Sequence, residues 1–99
     1  MNNEDLKITD NEFLRQFETT INGELAVIEY SQQDRKIFLT KLRLPETAKD
    51  HQEDFIKAVL TEIVETRNTR VVPTSPEIAS YIRRNRRKYK DLLPVGINI

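Results

Sequence analysis

The sequence predicts a mixed α+β domain in which a three-stranded antiparallel meander is followed by a helix, a parallel strand and a second helix, the order βββαβα. Three observations predict it. Apolar and polar residues alternate between positions 11 and 44, an apolar stripe at helical spacing runs through positions 51–67, and a short β-branched segment precedes a proline-rich turn at positions 73–76. With 99 residues and 37% hydrophobic content, the chain has enough apolar material for one core. We therefore expect a single domain over residues 11–94, with a flexible N-terminus at 1–10 and a tail at 95–99.

The meander is predicted from its alternation and from two polar breaks. A first strand runs from Asn11 and places Phe13 and the odd-numbered residues up to Ile21 on one side. Asn22-Gly23 is the strongest short-range signal for a type I′ hairpin turn, so Leu25 to Tyr30 should return antiparallel to the first strand. A third strand follows at Lys36 to Leu44. Its predicted core side consists of Phe38, Thr40, Leu42 and Leu44.

The first helix is predicted from His51 to Arg67. Asp50 and Glu53 have the spacing of an acidic capping box, and Asn68 is a plausible left-handed stop. The helix should bury one face, because its apolar residues recur at helical spacing. These residues are Phe55, Ile56, Val59, Leu60, Ile63 and Val64.

The last two elements are a short strand at Arg70 to Val72 and a helix at Pro76 to Asn85. Ser75 stands at the N-cap position of that helix, and proline is favoured in a first helical turn. A strand, helix, strand sequence predicts a right-handed crossover. The strand at residues 70–72 should therefore lie parallel to the third strand of the meander.

Composition excludes several kinds of site. The chain has no cysteine, which rules out disulfides, thiolate zinc sites and a cysteine nucleophile. His51 is the only histidine, so a metal site built on several imidazoles is impossible, and we predict no metal site. No segment resembles a signal peptide or approaches the roughly 18 apolar residues of a membrane span, so we expect a cytoplasmic protein without a membrane partner.

The charge is unevenly distributed although the formal net charge is zero. Residues 70–99 carry seven basic and two acidic side chains, and six of the eight residues from Arg83 to Lys90 are basic. Three interpretations stay open: a solvated helix end, a grip on an anion such as the 3′-phosphate of coenzyme A, and nucleic-acid binding with Tyr81 and Tyr89 stacking on bases. The zero net charge and the lack of a recognised binding module make nucleic acid an unlikely partner. The candidate anion-binding residues are Arg83, Arg84, Arg86, Arg87 and Lys88.

Three motifs in the second half carry a resemblance to a known family. They are Pro73-Thr74-Ser75-Pro76, Tyr81-Ile82-Arg83-Arg84 and Tyr89-Lys90-Asp91-Leu92, and in the first half Gly23, Tyr30 and Leu44-Pro45 accompany them. Together with the order of the elements, they resemble the small, single-domain branch of the GNAT N-acetyltransferases over about residues 17–93. The resemblance implies the acetyl-CoA-binding half of the GNAT fold.

The resemblance also implies a function and a site. It implies transfer of an acetyl group from acetyl-CoA to an amine, with the pantetheine arm along the main chain of Lys41 to Leu44 and the pyrophosphate at the start of the following helix. Tyr81 is the implied candidate for the acid that protonates the thiolate. Ser75, which replaces the cysteine of the family, is the second catalytic candidate, as an acyl acceptor or acid. The cofactor-binding residues that it implies are Leu42, Arg43, Leu44, Lys49, His51 and Gln52.

One loop departs from the family pattern. Residues 45–54 contain no glycine, and four carboxylates in this segment would oppose a pyrophosphate. A second hypothesis therefore stays open: a catalytically silent relative that works as an interaction module through its basic C-terminal face. The four carboxylates are those of Glu46, Asp50, Glu53 and Asp54.

Overall fold

The computed structural model describes residues 6–67 and 69–94 and confirms the α+β class. Its five-stranded sheet has the order β1-β2-β3-β4-β5; neighbouring strands are antiparallel except β4 and β5, which are parallel as predicted. A short first strand and a short last helix add to the predicted βββαβα order. The strands are β1 (Thr9–Asn11), β2 (Gln16–Ile21), β3 (Glu24–Gln33), β4 (Lys36–Arg43) and β5 (Arg70–Pro73), and the helices are α1 (Gln52–Thr66), α2 (Pro76–Arg84) and α3 (Arg86–Tyr89). Within the described residues, 3₁₀ segments span Glu46–His51 and Lys90–Leu92.

The first strand of the meander is shorter than predicted. Residues 12–15 form a turn between β1 and β2, and Phe13 is exposed instead of lying on the inner side of a strand. Arg15, with a φ of 56°, ends this turn, and its carbonyl accepts a hydrogen bond from the Tyr30 N–H. β1 includes Thr9 and Asp10, within the segment expected to be flexible, whereas residues 1–5 and 95–99 lie outside the described residues. The predicted Asn22-Gly23 turn is present, with φ values of 54° and 80°.

A β-bulge divides β4, so the predicted core side is wrong for Phe38 and Thr40 and correct for Leu42 and Leu44. Tyr30 pairs with Leu39, but Glu29 pairs with Lys41, so Thr40 has no partner opposite it in β3. The extra residue shifts the alternation by one position. Ile37 and Leu39 are therefore fully buried before the bulge, Phe38 is half-buried and Thr40 exposed, while Leu42 and Leu44 pack against the core after it.

α1 begins later than predicted and has no capping box. The 3₁₀ segment Glu46–His51 leads directly into Gln52, His51 takes the N-cap position, and no side chain caps the helix. Five members of the predicted stripe are fully buried, but Val64 is 58% exposed. Asn68, the predicted stop, lies outside the described residues.

The core lies between one face of the sheet and the helices. Phe17 and Ile28 from the sheet, Phe55 and Ile56 from α1 and Ile82 from α2 belong to one cluster of buried side chains. All five are fully buried. No helix within the described residues is long and apolar enough to cross a membrane.

A polar cluster joins β1, β3 and the end of α1 at the edge of this core. The Arg67 guanidinium lies 5.1 Å from the ring centroid of Tyr30 and 5.7 Å from that of Phe17, and it pairs with the Asp10 carboxylate. The Tyr30 hydroxyl donates to Asp10 Oδ1 at 2.7 Å. Burial, followed by the contact with Asp10, raises the pKa of Tyr30 to about 12. One cation therefore contacts two rings and a carboxylate that come from β1, β2 and β3, and so joins the end of α1 to three strands.

Candidate cofactor site and basic surface

β4 and β5 pair over only four positions and then separate. The last pair is Leu39 with Pro73, and the N–H groups of Thr74 and Ser75 both donate to the Leu39 carbonyl, at 3.1 and 3.0 Å. From there the chain of β5 turns into α2, while β4 continues to Arg43. Within the described residues, β4 beyond Leu39 pairs with β3 alone. One backbone edge of residues 40–43 is therefore left without a strand partner.

The strand residues implied as cofactor contacts lie on this separated part of β4 or just after it. Leu42 and Leu44 are half-buried and pack against the core. Arg43 is exposed, and its Nη2 lies 2.8 Å from Glu29 Oε2 on the neighbouring strand. The side chains of Leu42 and Leu44 therefore support the strand, which leaves the main chain as the group that could meet a ligand.

The glycine-free loop folds as the 3₁₀ segment Glu46–His51. Ala48 is its fully buried residue, whereas Lys49 is exposed and His51 is half-buried. The Gln52 N–H donates to the Lys49 carbonyl and joins this segment to α1. Lys49, His51 and Gln52, predicted as phosphate contacts, are thus close in sequence and structure beyond the carboxyl end of β4.

One of the four carboxylates of the loop has a cationic neighbour, and a second lies near the His51 imidazole. Glu53 Oε2 lies 2.5 Å from Arg84 Nη1, and Asp54 Oδ2 lies 3.6 Å from His51 Nδ1. Glu46 and Asp50 are exposed. The negative charge at the start of α1 is therefore smaller than the sequence alone indicates, and Arg84 is the residue that sequence analysis did not connect with it.

Ser75 occupies the predicted N-cap of α2, but its hydroxyl does not cap the helix. Ser75 is 1% exposed, and its Oγ donates to Glu77 Oε1 at 2.8 Å. The pKa of the Glu77 carboxyl is lowered mainly by a hydrogen bond from its own backbone N–H, with smaller effects from the Ser75 hydroxyl and from the positive charge of Lys49. Ser75 therefore orients the Glu77 carboxylate. The positive charge of Lys49, in the 3₁₀ segment, also stabilises this carboxylate in the first turn of α2.

Tyr81 and Tyr89 form a buried pair. Their hydroxyl oxygens lie 3.3 Å apart, their ring centroids are 5.8 Å apart, and the residues are 6% and 5% exposed. Burial, with the contact to Tyr81, raises the pKa of the Tyr89 phenol. The interpretation in which these rings stack on nucleic-acid bases is not supported, because both rings are buried in the core.

The basic residues of the second half form a surface, here called the basic surface and defined as Arg83, Arg84, Arg86, Arg87 and Lys88. All five are exposed and, with Asn85, line a shallow depression of about 350 Å³. Arg84 forms the ion pair with Glu53, and Lys88 Nζ lies 5.6 Å from the ring centroid of Tyr89. Within residues 6–67 and 69–94, no ion pair reaches Arg83, Arg86 or Arg87.

Comparisons with known proteins do not assign the chain to a family. No protein-family model matches the sequence, and no curated protein matches it. Among the described residues, no group of three or more His, Cys, Asp or Glu side chains is placed to hold a metal ion.

Proposed function

We propose that this chain is a small GNAT-like domain that binds acetyl-CoA and transfers its acetyl group to an amine. The observation that carries the proposal is the separation of β4 from β5 after Leu39 and Pro73, next to the bulge at Thr40. A separated parallel pair gives an extended thioester arm a backbone edge for hydrogen bonding. The three motifs between Pro73 and Leu92 support the same proposal.

In the proposed reaction, the acceptor amine attacks the thioester carbonyl carbon. A C–N bond forms, the C–S bond breaks, the coenzyme A thiolate takes a proton, and the nitrogen loses one. The domain would contribute by orienting the two reactants and by donating backbone hydrogen bonds to the carbonyl oxygen. The acceptor is any primary amine that reaches the open edge of β4.

Tyr81 remains the candidate for protonation of the thiolate, on the resemblance alone. Its hydroxyl lies 3.3 Å from that of Tyr89, which keeps its proton because its pKa is raised, so Tyr89 can donate a hydrogen bond to the phenolate that Tyr81 would become. Replacing Tyr81 by Phe should lower kcat much more than it raises KM, because a proton donor acts on the reaction rather than on binding. An unchanged kcat would remove Tyr81 from the mechanism.

Direct binding tests the proposal. Acetyl-CoA titrated into the purified protein by calorimetry should give one saturable site, and desulfo-CoA, which lacks the sulfur, should compete for it. Exchange broadening of backbone amides in residues 40–44 upon titration would place the ligand at the open edge of β4. Absence of binding at millimolar acetyl-CoA would reject the proposal.

A catalytically silent interaction module is the second candidate function, favoured by Arg83, Arg86 and Arg87, which form no ion pair with any of the described residues. Such a module would use the basic surface for an anionic macromolecule and would not bind acetyl-CoA. Replacing Arg83, Arg84, Arg86 and Arg87 by Ala should then abolish salt-sensitive retention on an anionic polymer such as heparin. Retention that survives all four replacements would count against this function.

A further inference from the structure

The start of α1 needs cations if a phosphorylated cofactor is to bind there. A loop without glycine keeps its backbone N–H groups behind side chains, and its carboxylates repel phosphate. Among the described residues, Arg84 is the cation that forms an ion pair with Glu53, in the first turn of α1. This contact brings the basic surface beside the site where the proposed function requires an anion.

α2 lies along the 3₁₀ segment and the start of α1. Glu77, Ser80 and Arg84 recur at helical spacing on α2, which places them on one side of the helix. The charge of Lys49 acts on Glu77 at one end of this side, and Glu53 pairs with Arg84 at the other. Arg84 Nε also donates to the Ser80 carbonyl at 3.3 Å, which orients the guanidinium along the helix.

The chain changes direction after Arg84, and this turn gathers the other arginines around Arg84. Asn85 ends α2, its Nδ2 donating to the Tyr81 carbonyl at 2.8 Å, and α3 starts at Arg86. Arg83 precedes this turn and Arg87 follows it, and both line the depression of about 350 Å³ together with Arg84. Neither Arg83 nor Arg87 is engaged in an ion pair within the described residues, so both are available to an anion.

We propose that Arg84, with Arg83 and Arg87, binds the 3′-phosphate of acetyl-CoA and so adds cations beside the loop that lacks glycine. The inference rests on the proposed function and adds to it the residues that recognise this phosphate. A guanidinium offers two parallel N–H donors to a phosphate and remains charged at every physiological pH, so three arginines suit a 3′-phosphate better than lysines would. In the free protein, Glu53 forms an ion pair with Arg84. The bound phosphate takes the place of the Glu53 carboxylate in this contact.

Coenzyme A and 3′-dephospho-CoA, compared by calorimetry at low salt, test this assignment. Coenzyme A should bind about tenfold more tightly, the effect of one charge-assisted contact. The Arg84→Ala variant and the double variant Arg83→Ala/Arg87→Ala should each remove most of this difference while leaving the affinity for 3′-dephospho-CoA largely unchanged. The double variant keeps the test valid if loss of the Arg84–Glu53 pair disturbs folding.

Two matched variants sharpen the comparison. Glu53→Gln frees Arg84 and removes a negative charge, so it should tighten coenzyme A binding several-fold. Arg35→Ala removes an exposed arginine from the turn before β4, at the opposite end of this strand from the proposed site, and should have no effect.

The outcomes separate the assignment from the proposed function. Equal affinities for the two ligands, or a coenzyme A preference that survives the arginine replacements, would overturn the assignment while the proposed function stands. Absence of binding by both ligands would overturn both.

Discussion

At the scale of single residues, Arg67 joins several elements at the edge of the core. Its guanidinium lies beside the paired Tyr30 and Phe17 rings, pairs with Asp10, and donates to Gln32 Oε1 and, at 3.2 Å, to the Tyr30 hydroxyl. Its side chain is 17% exposed, so the ion pair is partly shielded from water. Removing the guanidinium would leave the partly buried Asp10 carboxylate without this cation as its partner.

Replacing Arg67 by Met should lower the free energy of unfolding by about 2 kcal/mol, because a shielded ion pair and two cation–π contacts are lost. Urea unfolding followed by circular dichroism measures the change. Arg35→Met, at an exposed position, serves as the control and should stay within about 0.5 kcal/mol of the parent protein. Equal effects of the two replacements would show that the Arg67 cluster does not stabilise the fold.

Tyr30 should make stability depend on alkaline pH. Its pKa is raised from 10.0 to about 12 in the folded chain, so its contribution is fully present below pH 10 and is lost as the pH rises towards 12. The free energy of unfolding should fall by about 2 kcal/mol over this interval. The free energy of unfolding, measured at several pH values for the parent protein and for Tyr30→Phe, isolates the contribution of Tyr30. If this free energy fell equally with pH in both proteins, the prediction would be contradicted.

At the scale of elements, the helices, strands and turns that could be predicted are those that a local sequence pattern specifies. Asn22-Gly23 has the backbone preference that its turn requires, and the stripe of α1 follows from spacing alone. The bulge at Thr40 could not be predicted, because it depends on how β3 aligns with β4. β1 could not be predicted either, because its three residues show no alternation of their own. They form a strand by pairing with β2.

The stripe of α1 allows a matched test within one helix. Ile56 is fully buried, whereas Val64 in the same predicted stripe is 58% exposed. Ile56→Ala should cost about 2 to 5 kcal/mol of unfolding free energy, since it leaves a cavity, while Val64→Ala should change it by no more than about 0.5 kcal/mol. Chemical denaturation measures both. A large loss in Val64→Ala would mean that another surface covers this residue.

At the scale of the whole molecule, the candidate site depends on contacts between residues that lie far apart in the sequence. The basic run and the acidic loop are visible in the sequence, but the Arg84–Glu53 pair that joins them spans 31 positions. Likewise, the contact between the rings of Tyr81 and Tyr89 depends on how α2 and α3 pack, which buries both rings. The parallel pairing of β4 with β5 was predictable from the strand, helix, strand connection between them. The separation of these two strands after Leu39 was not predictable from composition or spacing.

Calorimetric titration of acetyl-CoA into the full chain is the most direct test of the central claim, that the separated ends of β4 and β5 bind this cofactor. We expect one saturable site with micromolar affinity that weakens as salt is added, since arginines contact the 3′-phosphate. No binding at millimolar acetyl-CoA, at low and at moderate salt, would contradict it.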